Sequence, residues 1–133
     1  MIMEKTIRSH RDLTVWQKTM DLAVEIYRLA AKLPHSETYR LVAQMTRAAA
    51  SVPANIAEGH ARATRKDFAN FVAIAKGSLM ETETFLMLAV RLGYLTESEA
   101  SVALGLITEN SKMLTALRNR LKEADKSEGN ASR

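Results

Sequence analysis

Apolar residues recur every three or four positions through most of the chain, and no run alternates apolar with polar residues as a half-buried strand would. That period predicts helices. In a first segment, about Asp12 to Leu33, Trp16, Met20, Ala23, Tyr27 and Ala30 define an apolar face that Ile26 and Leu33 widen, before Pro34-His35-Ser36 stops it. A second, about Glu37 to Ala63, puts Leu41, Met45, Ala48, Val52 and Ile56 on one face and Arg47, Ser51, Asn55, Glu58 and Arg62 on a polar stripe. Thr64, with Asp67 three residues on, starts a third that carries Phe68, Phe71, Val72, Ala75, Leu79 and Leu86 and stops at Gly93. Thr96-Glu97-Ser98-Glu99 is a cleaner capping box for a fourth, whose seam runs through Ala103, Ile107, Asn110, Leu114, Leu117 and Leu121. Asn110 either fixes register as a buried polar residue or sits at an exposed edge.

The stretch Ser51 to Arg62 holds the least helix-like residues inside the second helix. Pro53 forfeits a backbone hydrogen bond and crowds the carbonyl of Ala49, so a kink is expected. With Gly59 the cost to an isolated helix is about 4 kcal/mol, which tertiary contacts must offset. The stripe beside it has two readings: a solvated face with a Glu58 to Arg62 pair, or a polar network buried against a neighbour.

Connections of a few residues make neighbouring helices antiparallel, so the expected fold is all-α, an up-down-up-down four-helix bundle with a kinked second helix. Residues 1–11 are expected as a flexible basic arm, 12–122 as the bundle and 123–133 as a disordered polar tail. In that topology helix 1 begins at the end where helix 2 finishes, helix 3 begins and helix 4 finishes. This end is called the first pole and the opposite end the second. A turn centred near Thr64 sets Arg47 opposite Glu81 and Ser51 opposite Gly77 or Ser78. Arg47, Ser51, Asn55, Glu58, Ser78 and Glu81 would then form a structural polar network, with Gly77 allowing close backbone approach near Pro53. Helix 3 also carries a second apolar stripe, Phe71, Ile74, Phe85 and Leu88, that one core cannot absorb, which points to a homo-oligomer.

Candidate chemistry is sparse. His10, His35 and His60 have no second histidine or suitable carboxylate at metal-ligand spacing, the five glycines are too scattered for a phosphate loop, and seven methionines read as core filler. No catalytic group, metal or cofactor is expected, and the protein is read as a non-enzyme. The absence of cysteine, of a signal-peptide core and of a membrane-length apolar run fits a cytoplasmic protein with no membrane partner.

Charge changes the picture more. The net charge of +4 is uneven: residues 1–66 hold 11 Lys and Arg against 6 Asp and Glu, and residues 67–133 hold 8 against 9. Arg8, Arg11, Arg62, Arg65, Lys66, Arg118, Arg120 and Lys122 converge on the first pole with Lys5, tempered by Asp12, Glu58, Asp67, Glu123 and Asp125, whereas the second carries Glu37, Glu97 and Glu99. Those eight cations are the candidate nucleic-acid contacts, electrostatic and without sequence readout, since no helix-turn-helix, aromatic stacking pair or zinc finger is present. A protein-binding scaffold is the alternative.

Val15-Trp16, Gln44-Met45, Arg47-Ala48-Ala49, Val52-Pro53-Ala54-Asn55-Ile56-Ala57-Glu58-Gly59, Arg62, Phe71, Ile74 to Leu79 and Glu81 together resemble the four-helix-bundle proteins encoded in 23S rRNA intervening sequences, over about residues 11 to 122. The accessory proteins of diversity-generating retroelements are similar to the same family. The resemblance implies a ring-shaped homopentamer and, in the retroelement branch, binding to nucleic acid, RNA in the reading adopted here, and to a reverse transcriptase.

Overall fold

In this computed structural model the described residues are 7–131 for the backbone and 7–124 for side chains. Among them four helices follow in sequence: α1, Thr14–Ala30; α2, Leu41–His60; α3, Arg65–Arg91; and α4, Glu97–Ala131. Short 3-10 turns at His10–Asp12 and His35–Glu37 precede α1 and α2.

Each boundary has a local cause. The Thr64 hydroxyl accepts from the Asp67 N–H at 3.1 Å and starts α3. At its far end Gly93 takes φ +82°, while Tyr94 N–H bonds the carbonyl of Ala89 and Gly93 N–H that of Val90, a Schellman stop. At α4 the expected capping box is reciprocal: Glu99 N–H donates to the Thr96 hydroxyl and Thr96 N–H to the Glu99 carboxylate, both at 3.0 Å. Helix α2 starts four residues later than its period suggests. Glu37 lies in the 3-10 turn and its carboxylate accepts from the Leu41 N–H at 3.2 Å, while Arg40 leaves the helical region at φ −117°, ψ −102°. Pro53 lies within the continuous α2, buried.

Neighbouring helices meet in opposing directions. Lys32 near the end of α1 pairs with Glu99 at the start of α4 at 2.8 Å, and Leu13 and Thr14 share a cleft with Leu117 and Arg120. Lys76 of α3 donates to the Thr115 hydroxyl of α4 at 2.6 Å, while Lys66 lies beside Lys122 and Arg91 beside Glu97. Tyr27 of α1 lies beside Thr46 of α2, and Met20 beside Pro53.

The α2 face Leu41, Met45, Ala48, Val52 and Ile56 is buried as the period requires, against Leu79 and Leu86 of α3 and Ile107 and Leu114 of α4 in one core. Helix α1 differs. Its core stripe is Val15, Thr19, Leu22, Ile26 and Leu29, whereas Trp16 is only half-buried and Met20 and Tyr27 are 39% and 54% exposed. The buried face keeps Ala23, Ile26 and Ala30 of the expected one and turns away from Trp16, Met20 and Tyr27 towards Val15, Thr19, Leu22 and Leu29. Thr19 conceals it in the sequence, because its hydroxyl donates to the Trp16 carbonyl at 2.9 Å and so satisfies itself inside an apolar core. Asn110 is fully buried, its amide donating to the Lys18 carbonyl of α1 at 3.3 Å while its side-chain oxygen finds no partner. That decides between its two readings in favour of a buried polar residue tying α4 to α1.

Two glycine assignments reverse. Gly77 is exposed, and a Cβ built there would meet nothing within 4 Å. Gly59 is the residue that permits close approach: a Cβ there would lie 2.6 Å from the Phe71 Cβ and 3.0 Å from a Phe68 ring carbon. The α2–α3 hairpin is therefore tightest next to its turn rather than beside Pro53.

Two stretches expected to lack structure are folded in their described parts. Ser9 caps the His10–Asp12 turn, Arg8 N–H donates to the Asp12 carboxylate at 2.8 Å, the Gln17 amide donates to the Arg11 carbonyl at 2.8 Å, and the His10 ring meets Trp16 edge-on. At the other terminus α4 runs through to Ala131, since the run after Glu123 is polar but free of proline and contains alanine, lysine and glutamate, which propagate a helix well.

Candidate functional site

The cations predicted to gather at the first pole come from three places in the fold. Arg8 and Arg11 belong to the folded segment before α1, Arg62 to the α2–α3 connection, Arg65 and Lys66 to the first turn of α3, and Arg118, Arg120 and Lys122 to the C-terminal half of α4. Lys5 lies outside the described residues, as does the side chain of Asp125.

These side chains are not equivalent. Arg62 is committed twice, pairing with Glu58 at 3.0 Å and stacking over the Phe71 ring at 4.7 Å from its centroid. Arg118 is half-buried, with its Nε enclosed and without a partner. Neither presents a cation cleanly to a ligand. Arg8, Arg11, Arg65, Lys66, Arg120 and Lys122 are exposed and form the accessible basic surface. Opposing them, Asp12 is occupied with the N–H groups of Arg8 and Ser9, and Asp67 and Glu123 are exposed.

Two concavities divide this surface. One, of about 410 Å³, lies between the turn before α1 and α4, with Ile7, Asp12, Met113 and Arg120 in its wall. The other, of about 530 Å³, lies between the start of α3 and the C-terminal half of α4 and is lined by Lys66, Ala69, Asn70, Asn119, Leu121, Lys122 and Glu123. Sequence reasoning found its two lysines and missed its two asparagines. The signal was available: the antiparallel register that sets Lys66 beside Lys122 also sets Asn70 beside Asn119.

The second pole carries more positive charge than its three glutamates suggest. Arg28 is bound to Glu25 at 3.0 Å, Lys32 to Glu99 at 2.8 Å, and Arg40 and Arg91 are exposed near Glu37 and Glu97. Glu37 is itself held, by the Leu41 N–H and by the Tyr94 hydroxyl at 3.4 Å. The Lys32 ammonium and the Thr96 N–H together hold the Glu99 carboxyl down to about 2, and the Glu25 carboxylate raises the Arg28 guanidinium. Cations and carboxylates are balanced here, whereas cations are in excess at the first pole.

The expected polar network along α2 and α3 does not assemble among the described residues. Arg47 and Glu81, expected opposite one another, are both exposed and no ion pair joins them. Ser51 donates to its own helix at the Ala48 carbonyl, and Asn55 to the Ser51 carbonyl at 2.7 Å. Ser78 is buried, its carbonyl accepting from the Thr82 hydroxyl. The Ser51 and Asn55 side chains are thus satisfied by their own helix, as serine and asparagine commonly are.

A separate apolar surface lies on the outside of α1 and α2. Met20, Val24 and Tyr27 are exposed around a shallow depression of about 350 Å³ completed by Ala23, Ala50 and Pro53. Ile74 and Leu88 of the second α3 stripe are also exposed, at 52% and 42%. Among the described residues no cluster of three or more His, Asp or Glu could hold a metal, and no helix is long and apolar enough to cross a membrane.

Fold and site together define a small four-helix bundle with a basic end and unpartnered apolar flanks. The chain belongs to the 23S rRNA-intervening sequence protein family, whose model matches residues 11–116. It is also similar to a crystal structure from Bacteroides thetaiotaomicron VPI-5482, described as a protein of unknown function from the S23 ribosomal protein family. The two share 30% identity at a TM-score of 0.73, over 79% of this chain and 98% of that one. No curated protein matches the chain.

Proposed function

We propose that this protein is a non-enzymatic, homo-oligomeric nucleic-acid-binding module that holds phosphate backbones on its first pole. The observation that carries the reading is the set of exposed cations, Arg8, Arg11, Arg65, Lys66, Arg120 and Lys122, that three separate segments deliver to one end. Such a surface attracts polyanions by displacing their counterions and reads no sequence.

Oligomerisation is supported by the exposed Met20, Val24 and Tyr27 on one flank and Ile74 and Leu88 on another. Repeating the basic pole around an assembly multiplies contacts that are individually weak. The ring of five is taken from what the family resemblance implies, and RNA is our choice among nucleic acids.

The test is retention on heparin and on immobilised structured RNA, together with the mass in solution from light scattering. Arg11→Glu, Arg65→Glu and Arg120→Glu combined should elute at markedly lower salt with unchanged helicity. A wild-type protein that passes through both matrices at 50 mM salt would instead make the protein-binding scaffold the better account.

A further inference from the structure

We infer that the cleft between the start of α3 and the C-terminal half of α4 is a pocket for one unstacked nucleotide, so that the basic pole prefers single strands over duplex. The inference rests on the nucleic-acid reading above and says which form of the polymer that surface takes.

Three observations converge on it. The cleft, about 530 Å³, lies within the range of about 300–1,000 Å³ typical of small-ligand sites, whereas a duplex backbone needs only an exposed basic surface. Its chemistry is mixed in the way a nucleotide is. Lys66 and Lys122, one on each wall and both exposed, are point charges suited to the flanking phosphates. Asn70 and Asn119 line the same cleft, each offering an amide donor and acceptor of the kind that meets base edges and ribose hydroxyls. Leu121, half-buried in the wall, gives the base an apolar flank. Glu123 also lines the cleft. As an ionised carboxylate it accepts hydrogen bonds only, so its partner is an amino or imino group of the base and never a phosphate.

The third observation is that the other cleft of the basic pole lacks this combination. Arg120 opens on a cleft walled by Ile7, Leu13, Val15, Met113 and Leu117, with no amide side chain among its lining residues. Phosphate can be held there, but the lining offers a base no amide to read it. Bases reach protein pockets when they are splayed out of a strand or loop, and that requires unpaired nucleic acid.

The experiment compares fluorescence anisotropy of one labelled oligoribonucleotide alone and annealed to its complement, using the full chain and the variant carrying Asn70→Ala and Asn119→Ala. Both asparagines are exposed, and alanine favours helix, so the bundle should persist with unchanged circular dichroism. The wild type should bind the single strand more tightly, and the variant should lower the single-strand to duplex affinity ratio about tenfold. Titration with a free mononucleotide, followed by NMR at the Asn70 and Asn119 side-chain amides, separates a strand-presented nucleotide from a free one. Selective shifts show that the base alone is recognised, and their absence with the anisotropy result intact shows that the strand is needed. If both forms bind with strong salt dependence but the ratio is unmoved by the substitutions, the cleft inference fails and the basic-pole reading survives. Binding of neither form overturns both. A change of mass in light scattering without a change of ratio would assign the cleft to subunit contact.

Discussion

The two ends of the bundle use similar side chains in opposite ways. At the second pole Lys32, Glu99 and Thr96 close into a unit in which one carboxylate caps α4 and pairs with α1. Glu25 takes Arg28, and Glu37 takes the Leu41 N–H. At the first pole Arg62 is engaged by Glu58 and Phe71, while Lys66, Arg120 and Lys122 stand exposed at the rims of two clefts. Charge that is paired within the fold stabilises it; charge held out at a concave surface is available to a ligand. The comparison is what supports the first pole, rather than the second, as the proposed binding surface.

The largest expected effect is on binding. Reversing Arg11, Arg65 and Arg120 to glutamate should weaken binding to RNA or DNA by more than about tenfold and flatten the salt dependence by roughly 2–3 units on duplex DNA. Arg40→Glu with Arg91→Glu at the second pole should change affinity less than about twofold. Equal losses from both variants would mean that overall charge, and not the first pole, governs binding.

Next comes the hairpin behind the first pole. Gly59→Ala would place a methyl against Phe71 and Phe68, so thermal or urea unfolding should show a loss of about 1–3 kcal/mol. Gly77→Ala, at an exposed helical position with nothing within 4 Å, should instead stabilise by about 0.5–1 kcal/mol. Opposite signs for two glycines eighteen residues apart would establish Gly59 as the close-approach position; equal signs would remove the packing argument.

The caps give a smaller contrast. Thr96→Ala breaks a reciprocal box and Thr64→Ala a single bond, so the first should cost about 1–2 kcal/mol and the second about 1 kcal/mol in denaturant melts. A larger loss at Thr64 would reverse the ranking of the two ends.

The smallest effect is a pH dependence at the second pole. Glu99 is held at about 2, below its ordinary value of 4.5, first by Lys32 and then by the Thr96 N–H, so the stabilisation it contributes is fully present above about pH 4.5. It is lost as pH falls towards 2. Melting temperatures of the wild type and Glu99→Gln should therefore differ at pH 6 and converge near pH 2, and a gap that stays constant across that range would contradict the pairing.

The helices, their caps and the α2 core face were legible in the sequence because they depend on local chemistry: the period of Leu41, Met45, Val52 and Ile56, the Thr96 to Glu99 box, the Gly93 stop. The errors came where a residue's role depends on a partner that the period cannot name. Helix α1 has two apolar stripes, and Thr19 in the buried one reads as polar until its hydroxyl is seen bonded to Trp16. Gly59 and Gly77 look alike in sequence, and only the positions of Phe68 and Phe71 separate them. The eight cations could be assigned to one end from topology. Which were already occupied could not, because Phe71 under Arg62 and the enclosure of Arg118 are tertiary facts. Asn70 and Asn119 carried no signal alone and acquire one only from the register of α3 against α4.

The central claim, that the first pole is the nucleic-acid surface, is tested most directly by the slope of log affinity against log salt. Anisotropy with a labelled duplex between 50 and 200 mM salt would supply it for the wild type and for the two charge-reversed variants. Each phosphate neutralised adds about −0.9 to that slope, so the wild type and the Arg40→Glu, Arg91→Glu protein should share one steep line. The Arg11→Glu, Arg65→Glu, Arg120→Glu protein should fall on a shallower one. Three parallel lines, or a wild-type affinity indifferent to salt, would contradict the account.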